Sequence, residues 1–256
     1  MSLLAARGLT LRIGDRPLCT GFDFTLERGQ CWALLGANGI GKTTLLHALA
    51  GLRVAAGGSV SMEGRDLREW RSRALARMRG FLFQDSQDTF PCTVFETALA
   101  GCHPHLPFWR VEGAPEFAAV ERALNAVELG SMGARRIDTL SGGERRRLAM
   151  ATLLVQDALV WMLDEPANHL DLRHQVGMLA LILARVRERN GALIMALHDV
   201  NLALRYCTHA ALMVDHATIL CGPAAEIVNA GNLERMYGCP VRRIVDAGGR
   251  TFYFPE

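Results

Sequence analysis

The chain has 256 residues, 50% of them hydrophobic and 21% charged, which is enough apolar chain for a substantial core and excludes a disordered segment. Its 28 basic and 26 acidic residues leave a formal charge of +2, so bulk electrostatics give no reason to expect nucleic acid or an anionic lipid surface as a partner.

In chain order, residues 9–13 and 22–26 read as strands separated by turn residues, among them Gly14, Asp15 and Gly21. Residues 31–35 form a short buried strand that runs into glycines, and 43–50 form a helix closed by Gly51. A strand at 59–62, a basic amphipathic helix at 66–78 and a short apolar strand at 81–83 follow. From 92 to about 140 the pattern turns helical, most clearly at 93–100 and 116–129. Alternation then returns, with helix 144–155, strand 159–163, helix 172–189, strand 192–197 and helix 199–206. Residues 210–214 with 218–221, and 241–245 with 251–254, read as two hairpins. Strands that alternate with helices predict a parallel sheet with helices on its faces, and the helical stretch in the middle predicts an attached subdomain.

The apolar stretch 148–163 is broken by Gln156 and Asp157 and is too short and polar to cross a bilayer. Arg7 and Gly8 stand where an export signal would carry its apolar run, so the expectation is a chain that stays on the water side. The seven cysteines are odd in number and show no CxxC spacing, which reads as reduced cytoplasmic thiols. Cys102, His103 and His105 lie close together, but no fourth ligand is in register and a metal site is not expected there.

The segment Gly36-Ala37-Asn38-Gly39-Ile40-Gly41-Lys42-Thr43 fits G-x-x-x-x-G-K-[ST] between a strand and a helix. Glycines let backbone N–H groups wrap a phosphate, and the following helix aims its positive end at the same anion. Lys42 adds a point charge for the outer phosphates, and Thr43 offers a hydroxyl to Mg²⁺. The candidate nucleotide contacts are Gly36, Asn38, Gly39, Gly41, Lys42, Thr43 and Thr44.

Strand 159–163 ends in Asp164 and Glu165, at the strand tip where open α/β sheets bind ligands. Asp164 is the candidate Mg²⁺ holder and Glu165 the candidate general base for an attacking water. His198 ends a second apolar strand and is placed to meet the γ-phosphate. Leu140-Ser141-Gly142-Gly143-Glu144 opens another helix and makes a second anion-binding start. One nucleotide does not need two such starts; a head-to-tail pair of subunits does. The run Arg145-Arg146-Arg147 reads as one face of this helix carrying solvated charge, not as a nucleic-acid patch.

Taken together, these segments resemble the nucleotide-binding subunits of ABC transporters over nearly the whole chain. The family's phosphate loop falls on 36–44, its glutamine loop on Gln84, its signature on 140–144, its acidic strand on 159–165, its dimer-crossing loop on 167–171 and its switch histidine on His198. The resemblance implies an α/β fold, a P-loop NTPase core with an N-terminal antiparallel β subdomain. Residues 1–256 would form a single ABC ATPase domain, with an inserted α-helical subdomain at approximately 85–140. It implies ATP and Mg²⁺ as cofactors, with Thr43, Gln84 and Asp164 at the metal and Glu165, His198 and Gln84 in the catalytic set. It also implies a homodimer in which Ser141, Gly142 and Gly143 contact the partner's ATP and Asp171 couples the two sites. One departure stands out: the early-strand position where the family usually stacks an aromatic on adenine is Ile13, with Arg12 and Arg16 nearby.

Gly101-Cys102-His103-Pro104-His105, the stretch from Asn168 to Gln175, and Leu197-His198-Asp199-Val200-Asn201-Leu202-Ala203 resemble importer ATPases for iron–siderophore, haem and cobalamin complexes. That branch implies two transmembrane permease subunits as partners, indirectly a substrate-binding protein, no nucleic acid, and a peripheral place on the cytoplasmic face of the inner membrane. The alternative is a soluble ABC ATPase acting on ribosomes in translation. Such proteins usually carry two cassettes joined by a long charged helix, and this chain has one cassette and no such linker.

Overall fold

The computed structural model describes residues 2–84, 91–107, 109–168, 170–215 and 218–256. Its first strands are longer than the apolar pattern predicts. β1 (Ser2–Ile13) and β2 (Arg16–Glu27) pair antiparallel, with register shifts along the ladder. Gly8 and Gly21 take left-handed backbone inside them, with φ 56° and 66°. A bulge twists a strand without ending it, so Gly21 reads as a turn residue in the sequence.

β3 (Cys31–Gly36) is buried along its whole length and leads into α1 (Lys42–Leu49). β4 (Gly57–Met62) and β5 (Arg65–Asp66) follow. The helix predicted over 66–78 starts later, as α2 (Ser72–Met78). The Asp66 carboxylate accepts the Arg68 N–H at 2.9 Å and caps a single 3₁₀ turn, Leu67–Glu69. A short acidic side chain that competes for backbone donors favours a cap over a helix interior. β6 (Arg79–Leu82), α3 (Val94–Leu99), α4 (Ala114–Ala126), α5 (Gly142–Gln156), β7 (Val160–Asp164) and α6 (Leu172–Glu188) come next. Then come β8 (Ala192–Ala196), α7 (Val200–Tyr206), β9 (His209–Met213) and β10 (Ile219–Pro223). The chain ends with α8 (Ala224–Ile227), α9 (Ala230–Tyr237), β11 (Val241–Val245) and β12 (Thr251–Pro255).

These elements form two compact units, Met1–Trp70 with Asn190–Glu256, and Arg71–Arg189. The first unit holds an antiparallel sheet in the order β2-β1-β4-β5 and the β11–β12 hairpin. In its other sheet β3 lies between β8 and β9, parallel to both, and β10 runs antiparallel along β9. Leu34, Leu35, Leu45, Leu46 and Leu49 are fully buried and lock β3 and α1 into this core. In the second unit β6 and β7 pair in parallel, and α5 packs with α3 and α4. Parallel strands with helices, and a separate antiparallel sheet at the start of the chain, are the α/β arrangement expected from the sequence.

Capping contacts start α3 and α4 of the second unit. Thr93 and Glu96 form a capping box on α3, the Glu96 N–H reaching Thr93 Oγ1 at 3.2 Å and the Thr93 N–H reaching Glu96 Oε2 at 2.8 Å. On α4 the Gly113 N–H donates to Glu116 Oε2 at 2.9 Å. His103 and His105 go to separate partners: His103 Nε2 lies 3.3 Å from Glu112, and His105 Nε2 lies 2.7 Å from the Gln156 carbonyl on α5. Cys102 is buried, and desolvation pushes its thiol pKa up.

Gly101 sits where the end of α3 meets α5. A Cβ there would overlap the Thr152 carbonyl oxygen and lie 2.9 Å from Val155 Cβ. Backbone cannot swing aside as a flexible side-chain tip can. Gly101→Ala should therefore cost about 1–3 kcal/mol. Thermal unfolding should show a loss of roughly 2–4 °C for each kcal/mol. A melting temperature equal to the wild type would show that the two helices separate freely.

Candidate functional site

The phosphate-binding candidates lie in the first unit, between β3 and α1. Gly36 closes the strand; a Cβ there would stand 2.8 Å from Ile40 Cγ2 and 3.1 Å from Met213 Cβ. Gly39 and Gly41 take φ of 75° and 110°, and a Cβ on Gly41 would overlap Leu18 Cδ1. Only glycine fits this curve. Asn38 and Gly39 are exposed on the loop, while Thr43 and Thr44 are half-buried in the first turn of α1. The first N–H groups of a helix point out of its N-terminus without an intrahelical carbonyl, which suits the start of α1 to an anion. The Lys42 side chain is buried and folds over the loop, its Nζ donating to the Gly36 carbonyl at 2.8 Å and the Ala37 carbonyl at 3.2 Å. A cation held over a loop whose Gly36 and Gly41 leave no room for a Cβ fits a phosphate chain.

Beside this loop Ile13, Arg16, Pro17, Leu18 and Gly39 line a cleft of about 100 Å³. The Arg12 guanidinium is occupied elsewhere, donating to the Asp15 carbonyl at 2.7 Å. Of the two arginines near Ile13, it is Arg16 that reaches the cleft. A flat base placed there would meet aliphatic surface and a guanidinium in place of an aromatic ring.

His198 belongs to the same unit and follows β8. Its backbone carbonyl accepts the Tyr237 hydroxyl at 3.3 Å. Asp199 caps α7, accepting the Asn201 N–H at 2.7 Å. The Asn201 amide then pairs with the Tyr253 peptide, donating to its carbonyl at 3.1 Å and accepting its N–H at 2.9 Å. The turn that carries His198 is thereby tied to α9 and β12. Burial, and then the negative charge of Asp199, push the Tyr237 phenol pKa up, which keeps it a donor.

The acidic candidates lie in the second unit. Every residue of β7 is buried, so Asp164 at its end is delivered by a rigid strand. Glu165 has φ 50°, a left-handed backbone that costs a non-glycine residue about 1–2 kcal/mol. Its Oε2 accepts from Gln84 Nε2 at 3.1 Å and from Asn168 Nδ2. Gln84 and Glu165, 81 positions apart in the chain, are thus in direct contact. Within this unit Asp164 and Gln84 offer oxygen donors, the type suited to a hard divalent cation such as Mg²⁺.

Arg146, which the sequence places on a solvated face, is 7% exposed, and this corrects that reading. Its guanidinium donates to five backbone carbonyls, those of Phe83, Gln84, Asp164, Glu165 and Pro166. Its neighbours Arg145 and Arg147 donate to the carbonyls of Asp138 and Val127, at 3.1 and 2.9 Å.

Ser141 caps α5 in a capping box: its Oγ accepts the Glu144 N–H at 3.3 Å and its N–H donates to Glu144 Oε2 at 2.7 Å. The Ser141 backbone donor holds the Glu144 carboxyl below the usual range. Gly142 and Gly143 form the first turn. Asp171 caps α6, accepting the His174 N–H at 2.9 Å with His174 Nδ1 2.8 Å from its other oxygen, and these contacts depress its pKa. Within the loop 167–171, His169 lies outside the described residues.

Comparison with known proteins places this arrangement. A family model described as ABC transporter matches residues 19–168. The chain is 40% identical over 240 residues to the hemin import ATP-binding protein of Streptomyces coelicolor, spanning 93% of this chain and 84% of that one. It is 34% identical over 238 residues to the ferric enterobactin transport ATP-binding protein of Escherichia coli, spanning 92% and 87%. Among solved structures, a chain of an inward-facing ABC transporter described as of metal-chelate type gives a TM-score of 0.85 at 22% identity, over 100% of this chain and 98% of that one, a likeness of fold.

The cleft at Ile13 makes base selection testable. A guanidinium stacks on any purine, and its donors suit the guanine O6 and N7 edge. ATP and GTP should therefore bind with similar affinity, and Arg16→Ala should weaken both by about 0.5–1 kcal/mol. Fluorescence titration with both nucleotides measures this; strong preference for ATP that survives Arg16→Ala would rule the cleft out as the base site.

Proposed function

The chain belongs to the ABC transporter family of ATP-hydrolysing subunits, and from that premise we propose that it drives import of an iron–siderophore, haem or cobalamin complex through separate membrane subunits. The relatives named for hemin and ferric enterobactin transport support the cargo class. The chemical reading is carried by one observation, the Glu165 carboxylate held by Gln84 and Asn168 at the end of a buried strand.

In this reading Gly36, Asn38, Gly39, Gly41, Lys42, Thr43 and Thr44 bind the phosphates. Thr43, Gln84 and Asp164 would hold Mg²⁺, which would supply positive charge to offset that of the phosphates. Glu165, oriented by Gln84, accepts the proton of the attacking water. His198 steadies the γ-phosphate from a turn that Tyr237 and Asn201 hold in place. Two copies form a head-to-tail homodimer, each offering Ser141, Gly142 and Gly143 to the partner's ATP, with Asp171 coupling the sites. The whole chain acts as a single ABC ATPase domain. Its inserted helical subdomain, approximately 85–140, docks one of two transmembrane permease subunits, which in turn receive cargo from a substrate-binding protein. The protein works as a peripheral subunit on the cytoplasmic face of the inner membrane. Among the described residues no helix is long and apolar enough to cross a membrane.

Glu165→Gln should bind ATP with near wild-type affinity while turnover falls about 10²–10⁴-fold, the usual contribution of a general base. Wild-type turnover from this variant removes Glu165 from that role. Tagged Glu165→Gln protein, recovered from detergent-solubilised membranes with ATP, should retain a polytopic permease; recovery of ribosomal proteins in its place would overturn the transport reading.

A further inference from the structure

The strongest unassigned feature is a positive charge inside the second unit. Arg146 lies on α5, five positions after the Ser141 cap, and its side chain is almost wholly withdrawn from water. An unsatisfied buried cation costs several kcal/mol, so its donors must be met by protein. Nη1 donates to the carbonyls of Phe83 and Gln84, the latter at 3.2 Å. Nη2 donates to those of Asp164 and Glu165, the latter at 2.6 Å, and Nε to that of Pro166 at 3.4 Å. The two nitrogens of the fork thus face two different segments. One ends β6 and carries Gln84; the other ends β7 and carries Asp164 and Glu165. Backbone carbonyls occur at every residue, so the guanidinium holds those segments without engaging the Gln84 and Glu165 side chains.

We propose that Arg146 is a positioning residue for hydrolysis: it fixes the peptide backbones that carry Gln84 and Glu165, and joins them to the helix that opens at Ser141. The proposal rests on the reading of Glu165 given above. The planar fork matters because it serves two segments at once in fixed directions; an ammonium is a point charge with three donors and cannot span both. The 3.1 Å contact between Gln84 and Glu165 is then a consequence of backbone placement, not of the two side chains finding each other. Any displacement of the start of α5 is passed through the guanidinium to both segments. If Ser141 to Gly143 contact a partner's nucleotide, Arg146 is the route by which that contact reaches the subunit's own Gln84 and Glu165.

The test uses the full chain with Arg146→Lys, which keeps the charge, and Arg146→Gln, which removes the buried charge and with it the cost of an unpaired cation. Steady-state ATP hydrolysis, affinity for a trinitrophenyl-ATP analogue and amide hydrogen exchange of the nucleotide-free protein are compared with wild type. Both variants should lose about tenfold or more in kcat while KM and analogue affinity stay within about twofold, because the cradle at Lys42 is untouched. Exchange should quicken in segments 79–84 and 160–168 and stay unchanged in 31–49. A merely structural role would lower the melting temperature and leave kcat of the folded fraction at the wild-type value. Wild-type kcat in both variants overturns the proposal whatever the exchange rates. So does a loss of kcat with unchanged exchange in both segments, or a rise in KM that matches the fall in kcat. Glu165→Gln run alongside separates the two levels: if it is fully active, the reading of Glu165 fails, whereas an inactive Glu165→Gln beside fully active Arg146 variants removes the positioning role alone.

Discussion

A single guanidinium buried among peptide carbonyls organises the acidic half of this molecule. Taking a cation out of water is unfavourable by several kcal/mol, and the unfavourable term is recovered only when every donor is met. Arg146 meets that condition with carbonyls from two segments that are distant in the chain, at Phe83–Gln84 and Asp164–Pro166. The desolvation cost makes the arrangement nearly all-or-none. If one segment drifts away, the guanidinium is left with unmet donors, and the penalty falls on the whole network. Glu165 can then be kept in left-handed backbone, because its surroundings over-determine it.

The phosphate-binding half obeys a different constraint, one of excluded volume. Gly36 is hemmed in by Ile40 and Met213, and Gly41 by Leu18. These neighbours belong to the packed core of the first unit, so the loop's curvature is set from behind by apolar contacts. Lys42 then lies across the loop, held by the Gly36 and Ala37 carbonyls. One half of the chemistry depends on a charge that must be fully solvated by protein, the other on side chains that must not exist.

Much of this was legible in the sequence, and the reasons are physical. Gly36 to Thr43 and the Asp164–Glu165 strand tip are contiguous, and each residue type is dictated by local chemistry, so reading along the chain finds them. The Gln84–Glu165 contact is long-range and comes only from the family pattern or from coordinates. Arg146 was hidden inside a run of three arginines, where charge alone says nothing about direction. A signal was present: Arg146, Met150 and Leu153 follow i, i+4, i+7 spacing and share the buried face of α5. Gly21 misled because a bulge and a turn call for the same residue. Helices α8 and α9 went unread although Asn229 caps α9 and Gly238, with φ 71°, closes it. Arg16 was recognisable as a charge near Ile13, but only the cleft distinguishes it from Arg12, which turns back on Asp15.

The pairing of Asn201 with Tyr253 has a consequence for how the end of the chain can change. The Asn201 amide imitates a neighbouring strand, giving one donor and one acceptor to a peptide group. That peptide group is common to every residue except proline, so the contact recognises the path of β12 and is blind to its letters. Ile244 and Val245 on the hairpin are exposed. The hairpin can therefore be rewritten on its outer surface, in evolution or by design, without the turn that carries His198 registering the change, so long as the register of the two strands is kept.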